Sequence, residues 1–447
     1  MDLIVIGGGL AGCEAAWQAA QRGVKVILYE MRPHITTAAH TSADLAELVC
    51  SNSMGSNLPD RAAGLIKSEI RLLGSLLLLC AEQNTVPAGG ALAVDRHLFA
   101  RSVTEKIEAH PLITVVREEM SFIPTGPVIV ASGPLTSPGL IQAIQNLCGQ
   151  QHLYFYDAIA PTVYLHSINQ DSVYRASRNH PGDQQSGDYL NCPMSLSEYE
   201  TFVEALLSAE RIELKHFEGD LEYGVTAGDH QFFEGCLPVE ILASRGRHAL
   251  AYGPMRPIGL SDPHTGKRAY AVVQLRQDNL AGSLYNMVGF QTNLRSIEQD
   301  RVFRLIPGLE NVEFARYGQM HRNTYIYSPR LLRPTLQYNQ RDDLIFCGQI
   351  IGVEGYVGNI ATGLLAGWNA VRNIQGKKLL EFPKTTMLGA LCHYVTHASA
   401  IDFQPMKANF GILPPLEQES LKGRRERAKA YVNRALADLE QFLITID

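Results

Sequence analysis

Six consecutive residues near the start of the chain, Gly7-Gly8-Gly9-Leu10-Ala11-Gly12, constrain the fold more than any other feature. They follow Asp2 to Ile6, an apolar run that reads as a buried parallel strand, and they lead into an alanine-rich helix from Cys13 to Arg22, closed by Gly23. A second apolar run, Val24 to Tyr29, ends in Glu30. In such a unit Gly7 makes the tight turn, Gly9 lets the backbone approach a pyrophosphate, and Gly12 lets the helix press on the strand. The helix N-terminus presents N–H groups and partial positive charge to phosphates. Glu30, 18 residues past Gly12, stands where an acid would meet a ribose hydroxyl. A glycine turn alone is weak evidence; two strands, a helix and an acid around it make a Rossmann-type α/β unit.

The far end of the chain narrows the dinucleotide. Leu344 to Cys347 is another short apolar run, followed by Gly348-Gln349-Ile350-Ile351-Gly352-Val353-Glu354-Gly355-Tyr356 and by a small-residue helix from about Asn359 to Trp368. A second strand–turn–helix places another helix N-terminus, with Gly348 and Gln349, on the flavin side of FAD. Val128 to Pro134 supplies the third strand and turn. A simple NAD protein needs neither element, so the expected cofactor is FAD.

Flavin-type elements occupy the first part of the chain and resume near residue 315, which implies an insertion. The expected division is 1–185, FAD-binding domain, first part; 186–314, an inserted α+β domain; and 315–447, the second part with C-terminal helices. The polar stretch from Asn179 to Ser186 reads as the break. Beyond it a helix is expected near Ser197–Ala209, strands at Ala269–Leu275 and Leu284–Phe290, and a charged amphipathic helix from about Leu416 to Leu443. The longest leucine-rich stretch, Leu72 to Ala81, is too short to cross a bilayer and reads as a core helix. The first strand begins at residue 2, which leaves no room for a leader. Eight cysteines without a CxxC pair read as reduced thiols in a cytoplasmic protein, and no membrane association is expected.

Charge is partitioned along the chain. Eleven acids lie between Glu198 and Glu240, against Arg211 and Lys215. From Ile241 to Arg276 the balance reverses, with Arg245, Arg247, Arg256, Lys267, Arg268 and Arg276 against Asp262. From Phe314 to Arg333 there are four arginines (316, 322, 330, 333) among Tyr317, Tyr325 and Tyr327. Arginine neutralises phosphate and tyrosine stacks on bases, so these runs suit an RNA surface. They also suit solvated faces, or arginines that hold cofactor phosphates.

Two cysteines stand out by context. Cys50 lies in Leu48-Val49-Cys50-Ser51-Asn52-Ser53, where an apolar segment gives way to hydrogen-bonding residues, and Cys236 lies on a Gly–Pro turn in Phe233-Glu234-Gly235-Cys236-Leu237-Pro238. Turn thiols near cations or helix N-termini become nucleophilic, whereas most cysteines are inert core residues. His393 and His397 have the spacing of metal ligands on a helix, but no third ligand accompanies them, and no metal is expected.

EMRP (30–33), AELVCSNS (46–53), GLIKSEI (64–70), VPAGGALAVDR (86–96), FEGCLPVE (233–240), GPMRPIGL (253–260), YNMVGFQTNL (285–294) and GQIIGVEGYVGN (348–359) together carry a family resemblance. The chain resembles the folate- and FAD-dependent tRNA uracil-5-methyltransferases, TrmFO, of the flavoprotein superfamily that includes the GidA/MnmG tRNA-modifying enzymes. The resemblance runs from residue 2 to about 365 and thins beyond. Many flavoproteins carry Asp after the late glycine; Gln349 stands there in this chain, as in the tRNA-modifying branch.

The resemblance implies transfer of a one-carbon unit from 5,10-methylenetetrahydrofolate to C5 of the T-loop uridine of tRNA. A thiolate adding to uracil C6 makes C5 nucleophilic enough to attack the methylene carbon. Reduction to methyl is then the work of FAD, re-reduced by NAD(P)H. It also implies both cysteines: Cys236 as the C6 nucleophile and Cys50 as the helper in C5 proton removal or carbon transfer, with the reverse assignment open. The target uridine must be splayed out of the folded loop. Two other readings compete. One is wobble-uridine modification of the GidA/MnmG type, disfavoured because the chain lacks that branch's long helical extension toward a protein partner. The other is a non-catalytic flavin-containing RNA-binding protein. No obligate protein partner is expected.

Overall fold

The computed structural model describes residues 2–37, 39–148, 153–178, 187–212, 237–399, 403–417 and 423–446, and for 153–157 and 321–322 it describes the backbone only. A six-stranded sheet runs in the spatial order Gln337–Tyr338, Arg341–Phe346, Val128–Val130, Leu3–Ile6, Val26–Tyr29, Ile113–Val116. Every neighbouring pair except the first is parallel. Helices cover such sheets on both faces, which is why the central strands are continuous apolar runs rather than alternating ones. The four sequence segments expected to supply strands around the clamp, at 2–6, 24–29, 128–134 and 344–347, are thus adjacent strands of one sheet.

The clamp helix, Leu10–Gln21, lies against the return helix, Tyr356–Ile374. Glycine makes that contact possible. A Cβ on Gly363 would sit 2.2 Å from the Ala11 carbonyl oxygen, and one on Gly367 would sit 2.5 Å from that of Ala15. The Trp368 indole N–H donates to Gln18 Oε1 at 2.8 Å, and the Arg22 guanidinium lies 4.2 Å above the Trp368 ring. Leu72–Ala81 is not the single helix expected. Helix Ala62–Leu72 stops, Gly74 takes φ +75°, and helix Leu76–Gln83 starts afresh. The restart is capped twice: Ser75 Oγ accepts from Leu78 N, and buried Glu14 accepts from Leu77 N and the Ser75 hydroxyl.

The inserted region forms a second, wholly antiparallel sheet in the order Tyr174–Ala176, Tyr189–Met194, Ala271–Gln277, Leu284–Met287, Thr162–Tyr164, Phe314–Arg316. Helix Leu196–Ser208 packs on it through Tyr199, Phe202, Val203 and Leu206, and its N-terminus carries a Ser195–Glu198 capping box. This second core takes residues from Val163 to Val312. Two of its strands precede residue 186, because they pair with the strands that follow it. A two-stranded ribbon, Leu153–Ala158 with Met320–Tyr325, joins the two halves. The C-terminal helix, Arg424–Thr445, returns Val432, Ala435 and Leu439 to the first core. Among the described residues no helix is long and apolar enough to cross a membrane.

Candidate active site at the seam of the two cores

A cleft opens above the carboxyl ends of the parallel strands. Gly7, Gly9, Leu10, Ala11, Glu30 and Gln349 line it, so most of the sequence-level candidates share one wall. Gly8, Gly12 and Gly348 shape the wall from behind. A Cβ on Gly12 would fall 1.9 Å from the Gly7 carbonyl oxygen, and one on Gly348 would fall 2.8 Å from the Ala11 Cβ. Gly8 N donates to Glu30 Oε2 at 2.9 Å. Gly9 differs: a Cβ there meets nothing within 4 Å, so the backbone is bare toward the cleft.

Glu30 is fixed before any ligand could use it. Its Oε1 accepts from Arg32 N at 3.0 Å and Arg32 Nε at 2.8 Å. Burial works against its charge, but Arg32 and the backbone donors win and hold the carboxyl below its ordinary range. Arg32, buried, bridges on to Glu47 at 3.0 Å. The Gln349 amide donates to Glu354 at 2.6 Å. Asn359, near the N-terminus of the return helix, lines the cleft with a buried Oδ1 that meets no donor among the described residues. The bare backbone at Gly9, the helix N-terminus behind it, the anchored acid and this unmatched amide oxygen fit FAD.

Cys50 lies on a loop at the rim of this cleft, between cleft-lining Val49 and strand Ser53–Ser56. Its amide donates to the Tyr356 hydroxyl at 2.8 Å, and that hydroxyl donates to Ser51 O at 3.0 Å. Its carbonyl accepts from Arg316 Nη2 at 2.9 Å. Asn52 ties the loop to the second sheet, donating to Gln277 O at 2.9 Å and accepting from Arg276 Nε at 2.9 Å. Buried Arg96 pairs with buried Asp278 at 2.9 Å across the same seam. Cys236 lies outside the described residues. The chain just after it is docked: Leu237 is buried against Met320, and Glu240 accepts from Asn293 N at 2.7 Å and from the Thr292 hydroxyl at 2.9 Å.

The basic runs divide. Arg276 and Arg316 turn inward to the seam, so they are not the RNA-facing residues that a count along the sequence suggests. Arg247 pairs with Glu200, Arg333 with Asp342, and Arg330 lies over the Tyr327 ring. Arg256, Lys267 and Arg268 are exposed, and the side chain of Arg322 lies outside the described residues. Tyr252, at the end of helix Ala249–Tyr252, is 84% exposed. Sequence reasoning missed it, along with Arg96, Asp278 and Asn359. The signal it lacked was tertiary: nothing local distinguishes these residues.

A parallel sheet with two glycine turns meeting at one cleft, and an antiparallel domain inserted between them, defines a dinucleotide-binding protein of the GidA-like flavoprotein class. The chain belongs to the glucose inhibited division protein A family, whose model matches residues 2–378, and within it to the methylenetetrahydrofolate--tRNA-(uracil-5-)-methyltransferase TrmFO group. It is 54% identical over 439 residues to the TrmFO of Halalkalibacterium halodurans, covering 98% of both chains. It is 55% identical over 442 residues to that of Desulforudis audaxviator, covering 99% of this chain and 98% of the relative. For the Anoxybacillus flavithermus protein the figures are 52% over 443 residues and 99% of both. Among solved structures, Aquifex aeolicus GidA superposes with TM-scores of 0.69 and 0.68 in two crystal forms, at 16% and 18% identity. Those matches cover 98% and 100% of this chain and 73% and 76% of the other, and they speak for the fold.

Proposed function

We propose that this protein methylates C5 of the T-loop uridine of tRNA, taking the carbon from 5,10-methylenetetrahydrofolate, with FAD in the cleft and NAD(P)H as the outside reductant. The observation that carries the reading is the place of Cys50: a thiol on a loop fastened to the rim of the dinucleotide cleft by Tyr356 and Arg316. The names borne by relatives at 52–55% identity support the substrate and donor.

Gly7, Gly8, Gly9, Leu10, Ala11 and Gly12 would hold the pyrophosphate, Glu30 a ribose, and Gly348 and Gln349, with Asn359, the flavin half. FAD, when bound, supplies the electron pair that takes the transferred carbon from the methylene to the methyl level. The protein's own part is thiol and proton chemistry. Cys236 adds to uracil C6, which places electron density on C5; Cys50 assists carbon transfer or removal of the C5 proton; β-elimination then returns the Cys236 thiolate. Exposed Lys267, Arg268 and Tyr252 offer charge and a stacking face to the RNA. The proposed place of work is the cytoplasm, where thiols stay reduced. Unmodified tRNA incubated with holoenzyme, methylenetetrahydrofolate and NAD(P)H should gain the mass of one methyl group on the T-loop uridine. A methyl-free T-loop, or a new group on the wobble uridine, would overturn the reading.

A further inference from the structure

We propose that Arg96, Arg276 and Arg316 form a cationic cradle that holds Cys50 as the thiolate, with Asp278 setting the strength of the field. The inference rests on the assignment of Cys50 to the reaction and gives the reason that this thiol, among eight, would be reactive.

The three guanidinia arrive from separate parts of the chain. Arg96 opens helix Arg96–Glu108, Arg276 lies on strand Ala271–Gln277, and Arg316 ends strand Phe314–Arg316. All three reach the Cys50 loop: Arg316 donates to the Cys50 carbonyl at 2.9 Å, Arg276 to the Asn52 amide oxygen at 2.9 Å and Arg96 to the Leu48 carbonyl at 3.5 Å. Among the described residues, the Asp278 carboxylate, spent on Arg96 at 2.9 Å, and the Tyr356 phenol, which burial keeps protonated, also face the loop. Among the described residues, three positive groups against one carboxylate leave a surplus of positive charge at the seam. Arg276 is hydrogen-bonded to the neutral amides of Asn52 and Asn286, and Arg316 to the Cys50 carbonyl. The Nε of Arg96 is buried without an acceptor among the described residues.

Burying guanidinium without a matching anion is costly. Burial, aided by Arg96, pulls the Arg316 guanidinium down to about 10, and burial lowers Arg276 as well, whereas for Arg96 burial is outweighed by the Asp278 carboxylate, which raises it. A fold keeps such an arrangement where negative charge is to be met. The Cys50 thiolate is that charge, formed by releasing its proton to solvent, with no further reagent required. Placement at the rim of the cleft then puts the activated sulfur beside the reacting groups.

The test is the pH profile of Cys50 alkylation by iodoacetamide, measured on holoenzyme by peptide mass spectrometry, with flavin absorbance as the check that each variant is folded. Wild-type Cys50 should react at neutral pH as a thiolate. Arg316→Gln should move the profile up by about one pH unit, slowing alkylation about tenfold at neutral pH. Arg316→Lys, which keeps the charge, should restore most of the rate. Asp278→Asn should move the profile the opposite way, which a merely structural role for these residues would not produce. Unshifted profiles in Arg316→Gln and Arg276→Gln with flavin retained would overturn the cradle. So would an unshifted profile together with a raised KM for folate or tRNA, which would hand the guanidinia to a substrate anion. Undiminished methylation by Cys50→Ala would instead remove Cys50 from the reaction, whatever its alkylation shows.

Discussion

The crossing of the clamp and return helices and the seam around Cys50 share one element, the helix Tyr356–Ile374, and are built on opposite principles. At the crossing, Gly363 and Gly367 remove side chains so that backbone meets backbone, and Gly12 does the same where the clamp helix meets its own turn. At the seam, Arg96, Arg276, Arg316, Asp278 and Asn52 crowd long polar groups between two hydrophobic cores. The crossing sets the geometry of a cofactor wall and carries no chemistry. The seam stores uncompensated charge next to a thiol, which packing alone would not favour.

The largest expected effect is at the turn that leads into the crossing. Gly12→Val would drive a side chain into the Gly7 carbonyl, 1.9 Å from the new Cβ, and should cost more than about 4 kcal/mol, seen as insoluble or colourless protein. A soluble, yellow Gly12→Val protein would show that the turn yields where the close approach says it cannot. Gly9→Val should separate the two roles of this turn, because its Cβ is unobstructed: folded protein, no flavin.

A second effect probes an ionisable joint in the first core. Glu69, fully buried on helix Ala62–Leu72, accepts from Met387 N at 2.6 Å and Leu388 N at 2.9 Å and so caps helix Met387–His397. Burial raises its carboxyl to about 7 against these donors. A carboxyl raised in the folded state contributes stability that is complete below its unfolded value and lost as pH rises through 7. Wild type should therefore lose on the order of 3 kcal/mol relative to Glu69→Gln between pH 5 and pH 8, read from urea midpoints. Parallel pH curves for the two proteins would mean that the cap, not burial, governs Glu69.

The smallest effect lies outside both regions. Arg268→Gln should weaken tRNA binding modestly and flatten the dependence of log affinity on log salt by about one. An unchanged slope would remove that exposed face from the RNA surface.

The contrast between the two regions is also a contrast in legibility. The clamp is readable because strand, turn, helix and acid follow one another within thirty residues, each marked by a local pattern. The late turn at 348–349 is readable for the same reason. The leucine run at 72–81 misleads, because hydrophobicity does not register that Gly74 adopts a left-handed conformation and Ser75 caps a new helix. The seam is assembled from positions 50, 52, 96, 276, 278, 316 and 356, brought together only by tertiary pairing. Counting charge along the chain sent Arg276 and Arg316 to the surface, since sequence does not say which side of a strand edge faces a neighbouring core.

The most direct test of this division of labour measures flavin content and T-loop methylation on the same sample of Cys50→Ala. If the clamp holds FAD and the seam supplies the thiol, the variant should be as yellow as wild type and transfer no methyl group. Methylation at the wild-type rate would contradict it.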